Sequence, residues 1–190
     1  MKQKYIKKML KMSTYLTRLR CRDPTLKCIN KTGSRRGDFA ISELVKSLTF
    51  YPNITTMLQL SGNKLTDITG INIAQYVAVS SVIEHLCLMC NRFTIITFLE
   101  IAAALRVNTS LKYLYLADNF AAKKNQICAA FVDTLRLNPV RSSESNWHLY
   151  YRPCSDHDVD FKRLKDAAEK STPPSMLEFL LYVHLDMKKN

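Results

Sequence analysis

His85, Cys87 and Cys90 lie close together, and Cys87-Leu88-Met89-Cys90 has the Cys-x-x-Cys spacing that zinc sites and thiol redox motifs use. A structural zinc site needs a closed ligand set, and neither a second Cys-x-x-Cys nor a pair of histidines accompanies this one. Asp156, Asp158 and Asp160 alternate as in a calcium loop. However, Phe161 stands where that loop needs glycine and Ala167 where it needs a bidentate glutamate. They read instead as the acidic start of a helix, where the dipole favours carboxylates. Arg36-Gly37-Asp38 spells an adhesion tripeptide but falls where a turn enters a helix. No glycine-rich phosphate loop, nucleophile elbow or paired histidine–acid motif occurs. The expectation is a non-enzymatic protein with no catalytic residue, no metal site and no cofactor.

The elements around these residues are periodic. Three gapless segments align: Thr55–Leu65, Ile83–Phe93 and Leu111–Ala121. In each, leucine holds the fourth and sixth places (Leu58/Leu60, Leu86/Leu88, Leu114/Leu116) and asparagine the ninth. Asn63, Asn91 and Asn119 return at an interval of 28 residues. Leucines two apart point to one side of a short strand. Asparagine tolerates turn geometry, and its amide can bond backbone groups left open at a strand end. Repeated in register, it would become a ladder joining adjacent coils.

After each asparagine the period turns helical, with Ile73, Ala74 and Val77, then Phe98, Ile101, Ala102 and Leu105, then Ile127, Phe131 and Leu135. Ala102, Ala103, Ala129 and Ala130 are small residues for close approach to the strand layer. A degenerate earlier copy starts at Leu26. Ile29 takes the fourth place, Lys31 replaces the sixth-place leucine and Ser34 the asparagine, with Phe39, Leu44 and Leu48 continuing the helix. Its polar places suit a terminal coil whose outer face meets water. Asp38 and Asp67 suit helix caps.

A strand–turn–helix unit of this length resembles the ribonuclease-inhibitor-like class of leucine-rich repeats, found also in the Ran GTPase-activating and NOD-like receptor families. The resemblance covers residues 26–139. It departs at Thr55, which holds a usual leucine place, at Ala121, which replaces the eleventh-place leucine, and in the first copy, offset by one residue. It implies an α/β fold: a short solenoid with parallel strands on a concave face and helices on a convex face. Ran-regulating relatives carry a catalytic loop arginine, but no motif assigns that role to Arg92 or another residue here.

Three regions follow. Residues 1–25 form a basic amphipathic helix with Ile6, Met9, Leu10, Leu16 and Leu19 on its apolar side, capping the first coil. Residues 26–139 hold about four repeats. Residues 140–190 form a helical C-terminal cap, with an atypical strand at 147–151 and helices over about 158–170 and after Pro173-Pro174. There, Ser175 and Glu178 have capping-box spacing. The apolar run 176–187 is too short to span a bilayer. Docking on a partner or a second copy is its alternative to internal packing.

Net charge is +12, and residues 1–36 hold twelve Lys/Arg against Asp23 alone, leaving the rest nearly neutral. Such an arm favours anionic partners, although a solvated helix face is the plainer reading. It lacks a secretory h-region and shares the acid-free amphipathic look of a mitochondrial presequence. Six scattered cysteines do not make a disulfide scaffold. The chain reads as cytoplasmic, with the nucleus open to it.

Alternation along the strands exposes the side chains opposite the leucines. That yields a candidate partner-binding face of Met57, Gln59, His85, Met89, Tyr113 and Tyr115, with Cys87 among them and Glu84 and Lys112 beside them. Tyrosine and methionine are common anchors for protein partners. The alternative is an adaptor that grips nucleic acid or anionic lipid through Lys4, Lys7, Lys8, Lys11, Arg18, Arg20 and Arg22.

Overall fold

The computed structural model describes residues 12–35, 37–120, 130, 131, 134, 137 and 148–150. Residues 12–20 are helical (α1). Strand and helix then alternate: β1 (Cys28–Asn30), α2 (Gly37–Phe50), β2 (Met57–Gln59), α3 (Asp67–Val79), β3 (His85–Cys87), α4 (Ile95–Leu105), β4 (Tyr113–Tyr115) and β5 (His148–Tyr150). The five strands form one parallel sheet in sequence order. Leu58 pairs with Leu86 and Leu86 with Leu114, each 28 residues on, whereas Ile29 pairs with Leu58 at 29. The first coil's extra residue falls before Pro52, because the β1–β2 pairs stand 29 residues apart whereas Ser80 Oγ donates to Pro52 O and Ser81 N to Asn53 Oδ1 at an interval of 28.

Each strand is only three residues long, so its middle residue alone points into the core. Ile29, Leu58, Leu86 and Leu114 are fully buried there, as are Leu60, Leu88 and Leu116. The helices close over them, α2 packing on α3 and α3 on α4. Ile41, Leu44, Val45 and Leu48 of α2 supply one apolar stripe; Phe98, Ile101, Ala102 and Leu105 of α4 supply another. Met12 and Leu19 bring α1 into the same core, with Tyr15 and Leu16 packed against it.

Several details differ from expectation. Thr55 itself fills the leucine place, fully buried, its hydroxyl donating to Leu26 O at 3.2 Å. Lys31 does not meet water. It is 6% exposed, with its ammonium 4.5 Å from the centre of the Tyr15 ring, because α1 covers this end of the sheet. Phe39 is helical but 84% exposed. Ala103 is exposed, and the close helix approach is made by Gly70, whose hydrogen faces the Thr97 side chain. Left-handed backbone falls one place before the ladder position, at Gly33, Gly62, Cys90 and Asp118, and in the first two turns also one place after it, at Arg35 and Lys64, but not on the asparagines, which serve through their amides.

Asn63, Asn91 and Asn119 are buried and form the expected ladder. The Asn91 amide donates to Leu60 O and Leu88 O, and the Asn119 amide to Leu88 O and Leu116 O. Each amide thus ties its own coil to the one before. In the degenerate coil Ser34 substitutes, donating its hydroxyl to Asn63 Oδ1 at 2.6 Å.

Asp38 and Asp67 do not cap their own helices. They sit in the first turns of α2 and α3 and hold the start of the next helix. Asp38 accepts from Thr66 N and from the Thr66 and Thr69 hydroxyls; Asp67 accepts from Thr94 N and from the Thr94 and Thr97 hydroxyls. Ile95 stands at the next place, which ends this second ladder.

Among the described residues no helix is long and apolar enough to cross a membrane. Strand β5 falls within the expected 147–151. Residues 1–11, Ile127, Ala129, Leu135 and the helices expected after residue 150 lie outside the described residues.

Candidate functional site

The strand ends that flank each buried middle residue form the open face of the sheet. Met57 and Gln59 stand at the ends of β2, His85 and Cys87 at those of β3, Tyr113 and Tyr115 at those of β4, all half-buried. Parallel pairing puts Met57, His85 and Tyr113 in one row and Gln59, Cys87 and Tyr115 in the other. His85 and Tyr113 stack, with ring centroids 4.4 Å apart and planes at 7°. Beside them Lys112 Nζ lies 2.9 Å from Glu84 Oε1, with both side chains largely exposed. Met89 is half-buried just past β3, where its carbonyl accepts from Gly62 N.

Two residues of this surface carried no leucine signal. Cys28 and Asn30, exposed at the ends of β1, pair with Met57 and Gln59 and extend both rows by one strand. The sign that could have found them is the 29-residue interval from Ile29 to Leu58. None of the eight row residues from Cys28 to Tyr115 carries a fixed charge; the nearest opposite pair, Glu84 and Lys112, neutralises itself.

Cys87 and Cys90 are free thiols turned to opposite neighbours. Cys87 Sγ lies 2.9 Å from Ser61 Oγ on the preceding coil, and the Cys90 thiol reaches Asp118 Oδ2 at 3.6 Å on the following one. Cys87 ends β3 and Cys90 lies in the left-handed turn after it, and no group of three or more His, Cys, Asp or Glu placed to share a metal occurs among the described residues. The Asp38 carboxylate of the adhesion tripeptide is occupied by Thr66 and Thr69. Asp156, Asp158 and Asp160 lie outside the described residues.

Of the basic arm, Lys4, Lys7, Lys8 and Lys11 are outside the described residues, and Arg20 and Arg22 are exposed. Arg18 is committed within the chain: Nε meets Asp23 Oδ2 at 2.6 Å and Nη2 donates to Thr25 Oγ1 at 2.8 Å. The Thr25 hydroxyl and then Arg18 hold the Asp23 carboxyl down at about 2.

These features define a leucine-rich-repeat-like α/β domain with an uncharged sheet face. No protein-family model and no curated protein matches the sequence. Solved structures do. The chain is similar to the actin-binding site 2 of leiomodin-1, at TM-score 0.65 and 18% identity over 93% of this chain and 90% of that one. It is similar also to a tropomodulin C-terminal domain from Caenorhabditis elegans, at TM-score 0.69 and 14% identity over 94% of this chain and 97% of that one. At such identities the likeness is one of fold.

Proposed function

We propose that this chain is a non-catalytic protein-interaction domain that binds its partner across the open face of the sheet. One observation carries the reading: in-register pairing stacks Met57, His85 and Tyr113, and Gln59, Cys87 and Tyr115, into two half-exposed, uncharged rows. The His85 and Tyr113 rings, already stacked on one another, lose little freedom when a partner covers them. The 28-residue register supports a short solenoid of the ribonuclease-inhibitor-like class, with this face as its concave side. In this reading the protein is cytoplasmic.

The leiomodin-1 region is named for actin binding, which makes actin the first partner to test. Co-sedimentation with filamentous actin should retain the wild-type chain. Tyr113→Ala with Tyr115→Ala should weaken capture about thirtyfold at an unchanged melting temperature. Equal capture of the variant would remove the sheet face from the reading. No capture of the wild type would remove actin.

The charge asymmetry of residues 1–36 favours a second reading, an arm that grips nucleic acid or acidic lipid. Such binding falls steeply with salt and disappears when the arm lysines and arginines are neutralised. Binding insensitive to both changes excludes it.

A further inference from the structure

A second surface runs along the edge where strands turn into helices. Arg35, Lys64 and Arg92 occupy the same place on three successive coils, and all three are exposed. The buried ladder fixes the turns that carry them. Asn91 Oδ1 accepts from the backbone N–H groups on both sides of Lys64, at Asn63 and Leu65. Asn119 Oδ1 accepts from Phe93 N, next to Arg92, and Ser34 bonds Asn63 just ahead of Arg35. Among the described residues none of these three cations forms an ion pair. Three like charges on coils roughly 5 Å apart repel one another unless an anion lies along them.

An apolar row accompanies this basic one. The first turn of each following helix carries a large hydrophobic residue facing water: Phe39 at 84% exposure, Ile68 at 68% and Ile96 at 51%. These positions recur at the same intervals as the cations, so charge and hydrophobe advance together from coil to coil. At the next place in the basic row stands Phe120, also exposed, so the charge stops and the apolar character continues. Exposed apolar residues in register with unpaired charge mark a contact surface better than scattered ones.

We propose that this edge docks an amphipathic helix of a protein partner, its apolar stripe on Phe39, Ile68 and Ile96 and its carboxylates along Arg35, Lys64 and Arg92. An anionic bilayer fits less well. One helical turn beyond the apolar row, where Glu43 is neutralised by Lys46, stands the exposed Glu100, which would face the lipid headgroups as a like charge. The rows are also one residue wide, the width of a helix rather than of a membrane plane. This surface is made by turns and helix starts and does not depend on the sheet-face reading.

The test uses the full chain and a fluorescent synthetic helix of about 14 residues, with leucines along one stripe and glutamates beside it. Its controls are a scrambled peptide of the same composition, a version with lysine for glutamate, and vesicles of phosphatidylcholine with phosphatidylserine. The wild type should prefer the acidic amphipathic peptide at least tenfold over both control peptides. R35E/K64E/R92E and F39S/I68S/I96S should each lose that preference, and the charge-reversed variant should gain the lysine peptide. Amide chemical shifts of the wild type should move at Lys64 and Ile68 when the peptide is added, a readout independent of whether a variant folds. Equal binding of scrambled and ordered peptides, unchanged binding by both variants, or vesicle binding that depends on these rows without peptide binding would overturn the proposal.

Discussion

Asn63 and Asn91 are joined by a hydrogen bond from the backbone N–H of the first to Oδ1 of the second, 3.0 Å long and spanning 28 residues. Leu65 N donates to the same oxygen at 3.1 Å, so one buried side chain closes the whole turn of the preceding coil. Asn91→Ala takes the acceptor from two buried donors, Asn63 N and Leu65 N, while Leu60 O and Leu88 O lose one bond each but keep those from the Asn63 and Asn119 amides. An orphaned buried group costs about 1–3 kcal/mol, and part of the loss is recovered by relaxation and water. We expect about 3 kcal/mol of lost stability by urea denaturation, and a loss below about 1 kcal/mol would mean the ladder contributes little.

Gly70 gives an opposite-sign test of two principles. In an isolated helix Gly→Ala gains about 1 kcal/mol. Here an added Cβ would overlap the Thr97 side chain, 2.6 Å from its Cγ2 and 2.8 Å from its Cβ, and would meet its hydroxyl. Relief requires α3 and α4 to part, which disturbs the Asp67–Thr97 bond. Gly70→Ala should therefore destabilise by about 2–3 kcal/mol. A rise in melting temperature would show that the helices are not held at this distance.

Asp67 sets an acid limb. Burial works to raise its pKa, but the bonds from Thr94 and Thr97 outweigh burial and leave it below the ordinary value. The unfolded chain then binds this proton more readily than the native one. The contribution is complete above about pH 4, the unfolded value, and is lost as pH falls through the lower native value. Asp67→Asn should be less stable at neutral pH and should show a shallower decline below pH 4. Parallel acid titrations of the two proteins check this; identical slopes would refute it.

How much of this could be read beforehand depends on the physics of each feature. The strand leucines and the ladder asparagines were legible because each coil repeats the same local need, a buried middle residue and an amide to close the turn. Phe131, Phe98 and Ile101 followed from helical spacing for the same reason. The Asp38–Thr66 and Asp67–Thr94 contacts were not legible, since a cap within a helix and a bond to the next coil ask for the same residue types. Lys31 departs from expectation because a lysine at an apolar place signals water only when nothing covers it, and Tyr15 belongs to another element. Exposure of Phe39 and Ile68 was hidden too: periodicity marks where apolar residues recur, not which side of the helix its neighbours leave open.

Tyr76 sets an alkaline limb of opposite kind. Its ring is fully buried in α3 and its hydroxyl donates to Thr55 O at 3.2 Å. Burial, which disfavours the phenolate, pushes its pKa up to about 12. In the unfolded chain a tyrosine ionises near 10, so the native state holds its proton through a window in which the unfolded state releases it. Stability from this group is complete below about pH 10 and falls as pH rises towards 12, by roughly 2–3 kcal/mol across the window. Tyr76→Phe gives up one hydrogen bond, about 1 kcal/mol at neutral pH, and removes this titration entirely. The two stability curves should therefore cross: the variant unfolds at lower urea than the wild type at pH 7 and at higher urea near pH 12. Curves that stay parallel from pH 9 to 12 would mean that the phenol ionises as freely in the native protein as in the unfolded chain, and that the Thr55 contact does not keep it from water.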